Sequence, residues 1–138
     1  MGKKIELETG SLSVEELKEL FDTLPVDITF VDKDHTVKYF NKLGRRIFPR
    51  PKEVVGTKVQ NCHPQKSVHV VNQILESFKS GERDKAEFWI NLEGKMVHIR
   101  YFAVRNKEGE YLGVLEVSQD ITHIQELTGE KRLLDWEA

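Results

Sequence analysis

The segment Asn61-Cys62-His63-Pro64 holds the residues best suited to chemistry, because a thiol and an imidazole stand side by side. A neutral imidazole is the commonest metal ligand in proteins, and heme iron needs only one or two ligands from the chain. His63 is therefore a candidate axial ligand for heme iron. The alternative, which we favour, is that His63 caps a helix or forms a hydrogen bond inside the core.

Other residues do not complete a metal site or a catalytic group around this pair. On a helix, Cys62 and His63 would diverge by about 100°, and His69 would lie about 10 Å from Cys62 along the helix axis. His98 is a weak second ligand, because it shares a strand face with Met96 and Arg100, which predicts that this face is the outer one. The sequence holds no Ser/His/Asp grouping, glycine-rich phosphate loop or paired carboxylates at a strand end, so we do not expect an enzyme.

The elements that position this segment begin with a helix over residues 13–24. Ser13 is a predicted N-cap with Glu16 as its capping-box partner, and Pro25 ends the helix. The apolar residues of this helix recur at helical spacing and would form a docking or dimer face: Val14, Leu17, Phe21 and Leu24. Residues 1–12 are expected to be a loosely held arm.

Strand patterns cover 26–31, 36–41, 85–92, 96–105 and 111–118, with turns at Asp32–His35, Glu93-Gly94 and Asn106–Gly109. A longer helix is predicted from Asn61 to about Lys79, ended by Gly81. The interval 42–60 contains prolines and glycines and permits only short turns. The expected fold is α+β, with a five-stranded antiparallel sheet, covering helices and flanking helices at both ends. The domain bounds are 1–12 for the arm, 13–24 for the flanking helix, 25–122 for the core and 123–138 for an exit helix or tail.

Composition limits the classes of partner. Among 138 residues there are 21 Lys and Arg against 23 Asp and Glu, so the net charge is −2. This balance gives no electrostatic reason to expect nucleic acid or an anionic membrane as a partner. One cysteine excludes an internal disulfide, and no apolar stretch approaches the length of a signal peptide core or a membrane span. These features predict a cytoplasmic single-domain protein.

Three stretches, in this order, resemble a PAS domain between about Leu20 and Leu127. Residues 24–32 resemble its entry strand, Tyr39-Phe40-Asn41 with the following turns and Gly56 resemble its second strand and crossover, and residues 112–122 resemble its closing strand. Residues 46–71 further resemble an uncharacterised bacterial and archaeal PAS subgroup, often found C-terminal in proteins with a hemerythrin-like domain. The resemblance implies a sensory module, with a hemerythrin-like or other output domain as a partner.

The resemblance also implies a small pocket between the sheet and its helices, whose occupancy is relayed through the flanking helices. The residues expected to line this pocket are Ile28, Phe30, Tyr39, His63, Val71, Ile74, Ile99, Tyr101 and Leu115. Asp120 and Thr122 are expected to form the signal joint, with Asp120 capping the exit helix.

Asn61-Cys62 is also similar to the light-oxygen-voltage PAS domains, in which such a cysteine attacks a flavin. The glutamine expected in the closing strand is Leu115 here, and the polar residues expected after the cysteine are His63 and Pro64-Gln65. A buried flavin would leave polar atoms without partners. Flavin is therefore not expected, and heme is the cofactor that stays under consideration.

Three functions follow. The first is a sensory module that binds a small-molecule ligand and forms a homodimer through residues 14–24. The second is an interaction or dimerisation domain without a ligand, whose core is filled by Phe30, Phe40, Phe78 and Phe88. The third is a heme-binding redox or gas sensor that uses His63.

Overall fold

The computed structural model describes residues 3–136 as an α+β fold with a five-stranded antiparallel sheet, as predicted. Its elements are β1 (Lys4–Leu7), β2 (Gly10–Ser13), α1 (Val14–Thr23), β3 (Asp27–Asp32), β4 (Val37–Phe40), α2 (Val68–Lys79), β5 (Lys85–Leu92), β6 (Lys95–Arg105) and β7 (Tyr111–Asp120). No helix among these residues is long and apolar enough to cross a membrane.

The order of the strands in the main sheet is β4-β3-β7-β6-β5, so the last strand of the chain is the central one. Strands β5, β6 and β7 follow each other as hairpins, whereas β3 joins the sheet by pairing with β7. In this register Val31 lies opposite Val114, and Glu116 lies between Thr29 and Tyr101. Residues paired across neighbouring strands share a face of the sheet, so the register assigns each side chain to one side.

The inner face of the sheet is covered by α2. Val71, Leu75 and Phe78 recur at helical spacing and pack on Val31 and Val114 in one buried cluster. The outer face carries Tyr39 of β4, whose ring lies 5.7 Å from the ring of Phe21 in α1. The two helices therefore lie on opposite sides of the sheet.

The start of α1 is confirmed. Ser13 accepts a hydrogen bond from the Glu16 amide, and the Glu16 carboxylate accepts one from the Ser13 amide. The helix ends just before Pro25. None of its residues is fully buried, and Val14 and Leu20 are about half exposed.

The predicted start of the second helix at Asn61 is wrong, because α2 begins at Val68. Residues Val59–Cys62 form a 3-10 turn, and His63 is extended at φ −121° and ψ 145°. Pro64 explains the difference, since a residue before proline is driven out of the helical region. The direction of His63 therefore cannot be read from a helical wheel. Gly81 does end α2, at φ 84°.

Both ends of the chain differ from the prediction. The expected arm contains a hairpin of β1 and β2, because Ile5 and Leu7 alternate with polar residues; residues 1–2 lie outside the described part. The expected exit helix is a single 3-10 turn at Ile124–Glu126. Leu127 is extended and Gly129 has φ 62°, which stops helical propagation. Residues 137–138, like residues 1–2, lie outside the described part of the chain.

Gly113 fixes the approach of β7 to β3. Its φ is 151°, and a Cβ built there would lie 2.1 Å from the Val31 carbonyl oxygen and 2.9 Å from the Asp32 Cα. Both atoms belong to the backbone and cannot turn away as a flexible side chain would. Only glycine fits this position.

Gly113→Ala is expected to lower the free energy of unfolding by at least about 3 kcal/mol, because the added methyl forces β3 and β7 apart. Gly109→Ala is the matched control: its φ is also positive, at 83°, but nothing lies within 4 Å of the added Cβ. The control should cost only about 1 kcal/mol of backbone strain. Urea denaturation measures both. Equal losses would contradict the close approach at Gly113.

Candidate functional site

The chain between β4 and α2, residues 41–67, has neither α-helix nor strand and is held to the sheet by polar side chains. We call it the connecting segment. The Asn41 amide accepts a hydrogen bond from the Ile28 amide at 2.7 Å and donates to the carbonyls of Phe21 and Val26. This side chain is only 1% exposed, and it joins the end of α1 to the two strands β3 and β4.

Two further residues anchor the connecting segment. Arg46 donates to the carbonyl oxygens of Ile28, Asn41 and Phe48 and to the Thr29 hydroxyl. Asp27 accepts from the Ile47 amide at 2.6 Å. These bonds satisfy the guanidinium and the carboxylate, and they hold the next residues of the segment over the inner face of the sheet.

A cavity of about 410 Å³ lies between the connecting segment and the inner face of the sheet. The segment and the start of α2 contribute Phe48, Pro49, Arg50, Cys62, His63, Pro64 and Ser67. The sheet contributes Ile90, Ile99, Tyr101, Glu116 and Ser118. A smaller void of about 20 Å³ beneath α2 shares His63, Tyr101 and Glu116 with this cavity. The walls are mostly apolar with a few polar groups, which is typical of a small-molecule site.

A buried ion pair forms the polar part of the cavity wall. Arg50 Nη2 donates to Glu116 Oε1 at 2.7 Å, and the side chains are 9% and 12% exposed. Pro49 and Pro51 flank Arg50 and favour an extended backbone, with Pro51 at φ −76° and ψ 151°. Burial, and then the neighbouring Glu116 carboxylate, raise the pKa of Tyr101, so its phenol stays protonated and can donate a hydrogen bond.

His63 lines both the cavity and the void. Burial lowers the pKa of its imidazole; the nearby Glu116 carboxylate opposes this and Arg50 reinforces it. The ring is therefore neutral at pH 7, and its side chain forms no hydrogen bond with any described residue. Cys62 is a half-buried free thiol in the same wall. Within residues 3–136 no three His, Cys, Asp or Glu side chains are grouped as metal ligands.

The structure separates the residues expected to line the pocket into two groups. On the cavity side lie His63, Val71, Ile74, Ile99 and Tyr101. On the outer face of the sheet lie Ile28, Phe30, Tyr39 and Leu115, and for these four the prediction is wrong. In β3 and β7 the inner face carries polar residues, among them Thr29 and Glu116, whereas the outer face is the more apolar one, so the alternation in the sequence pointed to the wrong face.

Two other expectations depend on the same face assignment. Leu115 is not the counterpart of an inward glutamine; the inward polar residue of this strand is its neighbour Glu116. The four phenylalanines do not fill one core, because Phe30 is on the outer face and Phe88 is 38% exposed at the edge strand. His98 was expected on the outer face and lies there, paired with Glu87.

Arg50 and Glu116 are not among the residues predicted from the sequence to line the pocket. Both had a detectable pattern, since Glu116 is a single charge inside the apolar run Val114–Val117, and Arg50 stands between two prolines. A charge inside a central strand needs a buried partner. Because 66 positions separate the two residues and Arg50 lies outside the sheet, only the register of β7 together with the path of the connecting segment identifies the pair.

The end of β7 leads directly into a turn. Asp120 Oδ1 accepts from the Thr122 amide at 3.0 Å and from its hydroxyl at 2.6 Å, which lowers the pKa of the Asp120 carboxyl. Thr122 Oγ1 accepts from the Met96 amide at 3.0 Å, which ties the turn to the start of β6. Asp120 thus stabilises a turn rather than capping an α-helix.

The model of a family described as PAS domain matches residues 17–122, about three quarters of the chain. The chain is a PAS domain. The match includes α1 from residue 17 onward, all five strands of the main sheet and both sides of the cavity. No curated protein matches the sequence.

Solved structures agree with the family. A C-terminal domain from Streptococcus mutans is 37% identical, with a TM-score of 0.85, over 92% of this chain and 98% of that one. The PAS domain of BvgS from Bordetella pertussis is 20% identical with a TM-score of 0.60, over 82% and 89% of the two chains. A sensory box sensor histidine kinase from Vibrio cholerae is 17% identical with a TM-score of 0.56, over 77% and 89%. The latter two share the PAS fold.

Arg50→Gln is expected to lower the free energy of unfolding by about 3 kcal/mol or more, because it leaves the Glu116 carboxylate buried without its partner. The double variant Arg50→Gln with Glu116→Gln should lose less than the sum of the two single variants, since it removes both charges. Urea denaturation of the four proteins gives the coupling energy.

The exposed pair Arg83–Glu82 is the matched control, with both side chains more than 60% exposed. Arg83→Gln should cost less than about 1 kcal/mol. Additive losses at Arg50 and Glu116 would mean that the two charges do not interact in solution.

Proposed function

We propose that this PAS domain is a sensory binding module rather than an enzyme, and that it holds a small molecule in the cavity beside Arg50, His63 and Glu116. The observation that carries the proposal is the cavity of about 410 Å³, with apolar walls and an ionic pair at its side. Two neighbours with the same fold are a sensor histidine kinase and a PAS domain of BvgS, which supports a role in signal transduction.

The path of the signal in this proposal runs along β7. Glu116 contributes to the cavity wall, and Asp120 lies four residues further along the same strand. A ligand that moves Glu116 would shift β7 and, with it, the turn held by Asp120, Thr122 and the Met96 amide. Occupancy would then alter the direction of residues 123–136.

We also propose that α1 forms a homodimer contact. Its first turn is capped, yet Val14 and Leu20 are 50% and 47% exposed and Leu17 is half-buried. Phe21, in contrast, is engaged with Tyr39 of its own chain. A second copy would cover the exposed apolar side chains.

An output domain is the remaining partner in this proposal, either a hemerythrin-like domain or another effector. The similar domain from Streptococcus mutans is the C-terminal domain of its protein, which supports such an arrangement. Leu127, Leu133, Leu134 and Trp136 are each more than 65% exposed, so the end of the described chain has apolar side chains available for contact.

Heme sensing is a second candidate, favoured by one observation. The His63 ring is neutral at pH 7, lines the cavity and forms no hydrogen bond with the described residues. Such an imidazole can bind heme iron as an axial ligand.

The ligand proposal is tested by a small-metabolite screen, with the melting temperature as readout. A true ligand at a hundredfold excess over its Kd stabilises the protein by about 2.7 kcal/mol. Ile90→Trp is expected to abolish the shift, because Ile90 lies at the rim of the cavity and is 38% exposed. Asn91→Trp is the control, since the neighbouring residue points to the opposite face and is exposed.

Ligands that stabilise the Ile90→Trp protein as much as the wild type would contradict binding in this cavity. Hemin belongs to the same screen and has its own readout. A Soret band that His63→Ala removes would identify heme sensing. If added hemin gives no protein-bound Soret band, heme sensing is excluded.

The homodimer is tested by sedimentation velocity. Leu17→Ser combined with Leu20→Ser is expected to convert a dimer into a monomer, because it removes the apolar contact of α1. Lys18→Ser, on the same helix and exposed, should leave the dimer unchanged. A wild-type protein that sediments as a monomer, or a double variant of unchanged mass, would contradict the proposal.

A further inference from the structure

Arg50 has more hydrogen-bond donors than the protein uses. Its side chain is 9% exposed, and Nη2 donates to Glu116. Nε and Nη1 are shielded from solvent and have no partner among the described residues. A charged donor that finds neither protein nor water costs more than an ordinary missing hydrogen bond. This guanidinium therefore lacks an acceptor on the side that Glu116 does not occupy.

The neighbouring ionic groups do not supply that acceptor. Asp27 has the Ile47 amide at 2.6 Å and Lys42 at 3.9 Å, and its side chain is 5% exposed. Arg46 is half-buried and engaged with carbonyl oxygens and the Thr29 hydroxyl. The Asp27 carboxylate is thus occupied, and a third carboxylate, that of Asp22, accepts from the Lys42 amide at 2.9 Å. The free donors are those of Arg50.

The rest of the cavity defines the chemistry of the missing acceptor. The imidazole of His63 is neutral at pH 7 and the Tyr101 phenol stays protonated, so neither side chain adds a charge to the cavity. A single guanidinium whose charge is already paired with Glu116 matches a monoanion better than a phosphate dianion. Phe48, Ile90 and Ile99 form apolar walls in the same cavity. A guanidinium pairs well with a carboxylate, through short charge-assisted hydrogen bonds.

We propose that the cavity binds a small monocarboxylate, whose carboxylate accepts hydrogen bonds from the free donors of Arg50 and whose apolar body lies against Phe48, Ile90 and Ile99. This inference rests on the proposed function, because it names the class of ligand for the same cavity. Arg50 then has two roles: one donor positions the connecting segment on Glu116, and the others recognise the ligand.

The test compares two probes that differ only at the polar group, octanoate and octanamide, by calorimetry and by NMR shifts of the backbone amides at pH 7. The wild-type protein is expected to bind octanoate at least about tenfold more tightly than octanamide, as a charge-assisted pair requires. The shifted amides should include those of Ile99 and Ser118 in the cavity wall. This comparison needs no variant, so it does not depend on the stability of a mutant.

Arg50→Gln should bind both probes equally weakly, whereas Arg50→Lys, which keeps the charge, should retain part of the preference. Arg45→Gln is the control, because Arg45 is exposed and donates only to the Asp22 carbonyl. Its preference should match the wild type.

Equal binding of octanoate and octanamide by the wild type would overturn the carboxylate inference and support the proposed function, since an apolar ligand would still occupy the cavity. Failure of octanoate to bind, with other ligands found by the metabolite screen, would also overturn it and leave the proposed function standing. An octanoate preference that Arg50→Gln retains would assign the carboxylate to a different site.

Discussion

Buried polar groups without partners are too costly to keep, and this constraint shapes the whole region between β4 and α2. The connecting segment has neither α-helix nor strand, only short 3-10 turns, and few buried apolar side chains, so polar side chains must hold it on the sheet. Asn41, Asp27 and Arg46 do so through bonds to backbone groups of α1, β3 and the segment itself. Arg50 is satisfied only in part, because its Nε and Nη1 have no hydrogen-bond partner among the described residues, and its side chain lines the cavity.

Much of the fold could be predicted because its patterns are local. Strand periodicity, the capping box at Ser13 and the glycine after α2 each act within a few residues, and the structure confirms them. The start of α2 could also have been found locally, since Pro64 disfavours a helical His63. The hairpin of β1 and β2 was not predicted, because two short alternating strands give a weak sequence pattern.

The site was harder to predict because it depends on which face of each strand points inward. In β6, His98 and Arg100 mark the outer face, and Ile99 and Tyr101 were assigned correctly to the inner one. In β3 and β7 the outer face is more apolar than the inner one, and the assignment of Ile28, Phe30 and Leu115 therefore failed. The pair Arg50–Glu116 needs the register and the path of the connecting segment together.

The central position of β7 has a consequence for the order in which the chain can fold. While the ribosome is still making residues 111–120, the pair β3–β4 and the pair β5–β6 have no strand between them. An isolated two-stranded hairpin is marginally stable in water. Neither half can complete the sheet until the last strand emerges, so the contacts that close the fold are long-range ones, formed late. The strand that carries Glu116 is thus also the one that turns two nascent hairpins into a single cooperative unit.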